Sequence, residues 1–142
     1  DIAILQEYVA AGIDVLQLHG DESVDYANSC GDVEVWRALR LNAESQTEEF
    51  KNFPCSKFVI DAFVKDAIVP GGTGHKADWN LARQFVDAVD QDVLLAGGIT
   101  EKSFSDACEQ VKPWGLDLSS GVEISPGIKS SDKIESFFKA MG

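Results

Sequence analysis

The sequence predicts an α/β fold in which short apolar strands alternate with amphipathic helices. Five short apolar runs are each followed by polar or glycine-rich residues, and segments with one apolar helical face lie between them. Strands this apolar favour a parallel sheet covered by helices over an antiparallel sandwich. The chain has 142 residues, whereas a closed (β/α)8 barrel usually needs roughly 200 or more. The pattern therefore leaves a small open sheet or part of a barrel, in a single domain spanning residues 1–142.

The first helix and the strands follow in order along the chain. Apolar residues recur at helical spacing from Ile2 to Ile13, and Gly12 ends this helix before the first strand, residues 14–19. The later strands are predicted at residues 33–39, 57–61, 92–96 and 115–119.

The remaining helices are predicted from the residues at their N-termini. Asp78 and Thr100 are placed as N-caps of two helices, and Asp132 with Glu135 forms a D-x-x-E capping box for the last. Each of these helices carries apolar residues on one face: Leu81, Phe85 and Val89; Phe104 and Ala107; Ile134, Phe137, Phe138 and Met141.

Charge and composition limit the partners. The chain carries 24 acidic and 12 basic residues, a net charge of −12, which disfavours nucleic acid and anionic membranes. A small anion can still bind to oriented backbone amides, because surface charges are screened over roughly 8 Å. Three widely spaced cysteines fit a reducing compartment, and no apolar run approaches the roughly 20 residues of a membrane span. We expect a soluble cytoplasmic protein without nucleic-acid or membrane partners.

Three loops that follow strands are candidates for phosphate binding. Their glycines let the backbone approach a ligand, and amides at the start of a helix favour an anion. In (β/α)8 barrels the loops after strands 7 and 8 often bind phosphate beside a short extra helix, for which residues 125–129 are long enough. The alternative is that the glycines only form tight turns. The candidate residues are Gly72, Gly97, Gly98, Ser119, Ser120 and Gly121.

Two side chains at strand ends, Asp61 and His19, and one inside a strand, Asp117, are candidates for the chemistry. Asp61 ends an apolar strand, and a carboxyl group partly shielded from water can act as a general acid near neutral pH. The alternative for Asp61 is a cap or a loop salt bridge. Asp117 is a candidate for orienting a substrate nitrogen or hydroxyl, and His19 closes the first strand, where it either lines the same site or is held by backbone groups. Two separated histidines do not predict a metal site.

Taken together, these motifs resemble the phosphoribosylanthranilate isomerase family. The matching residues run through the chain in the family's order and at about its spacing: Gln17-Leu-His-Gly-Asp-Glu22, Asp61, Gly71-Gly-Thr-Gly74 with Asp78-Trp79, Ala96-Gly-Gly98, Asp117-Leu-Ser-Ser-Gly-Val-Glu123 and Pro126-Gly-Ile-Lys129. The resemblance implies a TIM (β/α)8 barrel in which the five predicted strands are strands 4 to 8. The chain is then the C-terminal portion of a barrel that lacks strands 1–3.

The resemblance also implies an activity. The family catalyses an Amadori rearrangement in tryptophan biosynthesis, which converts the phosphoribosyl aminoaldose of anthranilate into its 1-deoxyribulose isomer without a cofactor. Asp61 matches the family's general acid, which protonates the sugar ring oxygen. The family's cysteine base, in a Lys-Ile-Cys-Gly-like motif, and its arginine near the anthranilate carboxylate have no match here. We therefore expect this chain on its own to be inactive.

Two other interpretations remain open at this point. Another phosphate-binding barrel, such as an epimerase or an aldolase-type lyase, would need a lysine nucleophile or metal ligands at strand ends. A non-catalytic phosphate-binding module would need no base. The expected partners are a small phosphorylated substrate and either a missing N-terminal segment or a fused tryptophan-pathway domain.

Overall fold

The computed structural model describes residues 2–41, 47–61 and 79–142. The α-helices are α1 (Ile2–Ala10), α2 (Val24–Asn28), α3 (Trp79–Ala88), α4 (Phe104–Val111) and α5 (Ser131–Met141). The strands are β1 (Val15–Leu18), β2 (Glu34–Arg40), β3 (Lys57–Asp61), β4 (Asp92–Ala96), β5 (Gly115–Leu116), β6 (Glu123–Ser125) and β7 (Ile128–Lys129). Short 3₁₀ turns occupy Thr47–Glu49 and Ser120–Val122.

The first five strands form one parallel sheet in the order β1-β2-β3-β4-β5. Each strand therefore pairs with its neighbour in sequence, as successive β/α units do when they are laid side by side. This confirms the α/β class and the five predicted strands. Strands β3 and β4 have the predicted bounds, whereas β5 ends at Leu116 instead of continuing to residue 119.

The core lies between the sheet and the helices. Phe58 and Ile60 of β3 are fully buried, and the ring of Phe58 meets that of Phe85 on α3 edge-on at 5.2 Å. Further along, Phe104 of α4 packs against Phe137 of α5 with ring centroids 5.1 Å apart. Burial of each large apolar side chain stabilises the fold by roughly 1.5–3 kcal/mol. These contacts hold the helices against one face of the sheet.

The alternation of side chains along the strands defines the second face. In β2 the buried residues Val35, Arg37 and Leu39 alternate with the more exposed Trp36, Ala38 and Arg40. Since successive side chains of a strand point to opposite faces, one set packs under the helices and the other lies on the second face. Arg40, the last residue of the more exposed set, is therefore at the carboxyl end of β2.

Two predicted helix N-caps are corrected by the structure. Thr100 is not the N-cap of α4; the N-cap is Ser103, and the Thr100 carbonyl accepts from the backbone N–H groups of Ser103 and Phe104. Helix α5 is capped by Ser130, whose Oγ accepts from the Lys133 N–H at 3.2 Å, instead of by Asp132.

Residues 125–129 do not form a short helix. Strands β6 and β7 make an antiparallel hairpin there, while the short helical turn lies earlier, at Ser120–Val122. Asp78, the predicted cap of α3, lies outside the described residues. Within the described ranges, no helix has the length and apolar character needed to cross a bilayer.

Candidate active site

A cavity of about 710 Å3 lies at the carboxyl ends of the parallel strands. It contains the three side chains that were predicted to carry chemistry, His19, Asp61 and Asp117. Among the described residues, its lining is Gln17, His19, Gly20, Asp21, Arg37, Ala38, Leu39, Arg40, Phe50, Val59, Asp61, Ala96 and Asp117. Functional groups of parallel α/β folds gather at this end of the strands.

Asp61 reaches the cavity because of the strand alternation in β3. Phe58 and Ile60 point under the helices, so Val59 and Asp61 point to the second face. The Asp61 side chain is 38% exposed, and its Oδ2 lies 4.0 Å from Arg40 Nε. A carboxyl group at this position can contact a ligand bound in the cavity.

Asp117 and His19 come from the two edges of the sheet. Asp117 follows β5, and its N–H donates to the Leu95 carbonyl at 2.9 Å, so the backbone pairing with β4 continues to this residue. His19 follows β1 directly. Both side chains are exposed, which leaves their polar atoms accessible from the cavity.

The two glycine loops that were predicted to bind phosphate touch each other. Gly97 and Gly98 follow β4 with φ of 96° and 67°, in the left-handed region that favours glycine. A side chain at Gly121 would overlap the backbone carbonyl of Ile99. This close approach places Ser119, Ser120 and Gly121 beside the loop after β4. Gly72 lies outside the described residues.

A second contact set ties the Ser120–Val122 turn to the hairpin. Glu123 accepts from Lys129 Nζ at 2.7 Å and from the Gly127 N–H at 3.2 Å, and Lys129 Nζ also lies 3.3 Å from Ser119 Oγ. The hydrogen bond from Lys129, the N–H of Gly127 and the Lys129 charge hold the pKa of Glu123 below its ordinary value, although burial opposes this. The loop geometry is thus fixed by an ion pair as well as by backbone contacts.

Two arginines of the cavity were not found from the sequence. Arg37 is buried, donates to Glu22 at 2.5 Å and to the Gly20 carbonyl at 2.7 Å, and lies 4.9 Å from the ring centroid of Phe53. Arg40 is the last residue of β2 and lies next to Asp61. Arg40, like Asp61, is a charged residue at the end of an apolar strand, and this feature is visible in the sequence.

The cysteines do not line the cavity. Burial raises the pKa of Cys55 to about 11, with Arg37 acting weakly in the opposite direction. Burial and the charge of Glu22 also raise the pKa of Cys30. Both thiols are therefore poor sources of a thiolate near neutral pH.

The comparison with known proteins decides the family. The family model of N-(5'phosphoribosyl)anthranilate (PRA) isomerase matches residues 2–140. The chain belongs to this family. The N-(5'-phosphoribosyl)anthranilate isomerase of Clostridium acetobutylicum is 34% identical over 125 residues, which cover 88% of this chain and 60% of that relative. The chain thus spans about 60% of the length of the curated phosphoribosylanthranilate isomerases that it matches.

Solved phosphoribosylanthranilate isomerases have the same fold. The enzyme from Thermus thermophilus is 28% identical, with a TM-score of 0.75, over 98% of this chain and 66% of that chain. A second crystal structure, in complex with reduced 1-(o-carboxyphenylamino)-1-deoxyribulose 5-phosphate, is 26% identical with a TM-score of 0.72, over 98% of this chain and 63% of that chain. The predicted family and the TIM (β/α)8 class, present here as a partial barrel of five strands, are confirmed.

Proposed function

We propose that the protein containing this chain converts N-(5-phosphoribosyl)anthranilate into its 1-deoxyribulose 5-phosphate isomer, the Amadori rearrangement of tryptophan biosynthesis. The observation that carries the proposal is the position of Asp61, whose strand end is paired with Arg40 on one side and, on the other, with Ala96, the residue directly before the glycine loop. Family membership supplies the reaction. The cavity contains a carboxyl group, and the neighbouring glycine loops are our proposed anion-binding surface.

In this proposal Asp61 is the general acid of ring opening. Its proton passes to the furanose ring oxygen as the bond from that oxygen to C1' breaks, and the nitrogen lone pair forms the Schiff base. Loss of the C2' proton to a base then gives the enolamine, which becomes the ketone when C1' takes up a proton and the C2' hydroxyl releases one. No described residue is proposed as that base, since the thiols of buried Cys30 and half-buried Cys55 have raised pKa values.

The phosphate of the substrate is proposed to bind between the two glycine loops. Gly97 and Gly98 would contribute one set of backbone N–H groups, and Ser119, Ser120 and Gly121 the other. The net charge of −12 repels a phosphate only weakly inside the site, because surface charges are screened. Oriented backbone N–H groups can therefore attract the anion without a lysine side chain. Asp117 would orient the substrate nitrogen or a hydroxyl, and His19 would line the opposite edge. A contribution from Gly72 stays a prediction.

The proposal also covers the cellular location of the protein and the source of the catalytic base. A tryptophan-pathway isomerase acts on a soluble phosphorylated metabolite, so we place it in the cytoplasm. The base would then come from an N-terminal segment carrying barrel strands 1–3, or from a protein in which this domain is fused to another pathway enzyme.

The experiment is the Asp61→Asn substitution in the native protein that contains this chain. We expect kcat to fall by about 10²–10⁴-fold, the usual contribution of one acid–base group, while the Kd for reduced 1-(o-carboxyphenylamino)-1-deoxyribulose 5-phosphate changes little. Asp87→Asn on α3, where Asp87 pairs with Arg83 away from the cavity, is the matched control. Near-normal turnover of the Asp61 variant would refute the role of Asp61.

A further inference from the structure

A side-chain network joins the Ser120–Val122 turn to the hairpin that follows it. Strands β6 and β7 place Glu123 opposite Lys129, and opposite charges at such a cross-strand position attract each other. Lys129 Nζ donates to Glu123 Oε1 at 2.7 Å and lies 3.3 Å from Ser119 Oγ. One ammonium group therefore connects the hairpin to the residue directly before the turn.

The carboxylate of this network is held in place from several sides. The Glu123 side chain is only 15% exposed, and its Oε2 accepts from the Gly127 N–H at 3.2 Å. The Glu123 carbonyl accepts from Lys133 Nζ at 2.5 Å, which connects the same residue to α5. Because Lys129 is paired with this anchored carboxylate, its ammonium group has a defined position and its charge is balanced by Glu123.

The contact with Lys129 determines where the Ser119 hydroxyl proton can point. A lysine ammonium group has three donors and no acceptor, whereas a hydroxyl group can both donate and accept. In the contact of 3.3 Å, Lys129 is therefore the donor and Ser119 Oγ the acceptor. The hydroxyl proton stays available for a second acceptor, and a hydroxyl group that already accepts a hydrogen bond is a stronger donor.

We propose that Lys129 is a positioning residue that orients the Ser119 hydroxyl as a donor to the substrate phosphate. This inference rests on the proposed function and adds one side-chain donor to the backbone N–H groups of that site. Ser119 lies beside the loop after β4, because Gly121 directly approaches the Ile99 carbonyl. Phosphate oxygens are strong acceptors, and a hydrogen bond to them is charge-assisted. Lys129 acts through Ser119 and does not have to touch the ligand.

The test measures the binding of two ligands to the native protein containing this chain. They are reduced 1-(o-carboxyphenylamino)-1-deoxyribulose 5-phosphate and its counterpart that lacks only the phosphate. We expect Lys129→Met and Ser119→Ala each to weaken the phosphorylated ligand by about 10- to 100-fold, as for one lost hydrogen bond to a charged group. The counterpart should bind the wild type and both variants equally well. Lys139→Met, which breaks only the exposed pair with Glu135 on α5, is the control and should bind both ligands normally.

The double variant with Ser119→Ala and Lys129→Met separates an action through Ser119 from a structural role of Lys129. If Lys129 acts through the hydroxyl group, the double variant should bind the phosphorylated ligand no more weakly than Ser119→Ala does. Lys129→Arg should recover part of the affinity, because arginine keeps a charged donor. If Lys129→Met costs as much affinity in the Ser119→Ala background as in the wild type, Lys129 only stabilises the loop and the inference is refuted.

Ser119→Ala tests the hydroxyl contact even if Lys129→Met fails to fold, because it leaves the pair of Lys129 with Glu123 in place. Normal binding of the phosphorylated ligand by either single variant would refute this inference, while the isomerase proposal stands on the backbone N–H groups. If the wild type does not bind the phosphorylated ligand at all, both proposals are overturned.

Discussion

Arg37 is a buried charge in the middle of an apolar strand. It lies on the helix-facing side of β2 between Val35 and Leu39, with 7% of its surface exposed. Its guanidinium is neutralised by Glu22, and the same carboxylate accepts from the Gly20 N–H at 2.9 Å. Glu22 therefore connects the buried arginine to the loop after β1, whose residues line the cavity.

We expect Glu22→Gln to lower the free energy of unfolding by on the order of 2–3 kcal/mol near pH 7, because it leaves Arg37 buried without a counter-charge. Burial opposes ionisation of Glu22, but the backbone N–H groups of Glu22 and Gly20 and the Arg37 guanidinium outweigh it and lower its pKa. A lowered pKa stabilises the fold above the ordinary value of 4.5 and ceases to do so as the pH falls through the lowered value.

Urea unfolding of wild type and variant, from pH 7 to below 4, measures this difference. The difference in unfolding free energy between wild type and Glu22→Gln should be largest at neutral pH and should decrease as the pH falls. Glu48→Gln, which breaks only the exposed pair with Lys51, is the control and should change stability little. A gap that stays constant over the whole range would contradict this account of the pair.

At the scale of elements, the Ser120–Val122 turn is held between two neighbours. On one side Gly121 approaches the Ile99 carbonyl so closely that no side chain fits. On the other side the Val122 carbonyl accepts from the Ser130 N–H at 2.8 Å, at the start of α5. The turn can therefore keep its place beside the loop after β4 only with a glycine at residue 121.

We expect Gly121→Ala to separate the two glycine loops and to weaken binding of inorganic phosphate by about 10-fold or more, with a loss of roughly 1–3 kcal/mol in stability from overpacking. Gly115→Ala is the matched control, because its added carbon would meet the Leu94 side chain at an ordinary 3.8 Å. Titration calorimetry with phosphate on both variants measures the effect. Unchanged phosphate affinity in Gly121→Ala would show that the turn does not contribute to the anion site.

At the scale of the whole molecule, the order of strands and helices could be predicted from the sequence. Strands such as Lys57–Asp61 consist of apolar residues bounded by charged ones, and both features are local. The end of β5 was misjudged because Asp117 and Leu118 continue the alternating pattern although the regular pairing stops at Leu116. Residues 125–129 were misjudged as a helix, although Pro126-Gly127, with φ of 81° at the glycine, is typical of a tight turn.

From the sequence, the candidate site could be predicted only for residues that end or follow a strand. Asp61, Asp117 and His19 lie in the cavity because each follows or ends a strand of the same parallel sheet. The pairs Arg40–Asp61 and Arg37–Glu22 depend on register and on loop conformation, which place residues far apart in sequence next to each other. Neither is encoded in local periodicity. Family resemblance supplied the chemistry that geometry alone leaves open.

The unequal lengths of the strand ladders have a consequence for hydrogen exchange. The register pairs five residues between β2 and β3 and five between β3 and β4, but only two between β4 and β5. The Asp117 amide, bonded to Leu95 at that short edge, should therefore exchange through local opening well before the amides of β3. An anion that bridges the loops after β4 and β5 would hold the edge closed, so saturating phosphate should slow exchange at Asp117 in proportion to ligand concentration over Kd. Exchange followed by NMR with and without phosphate would then report occupancy of the site through the exchange rate of a single edge amide.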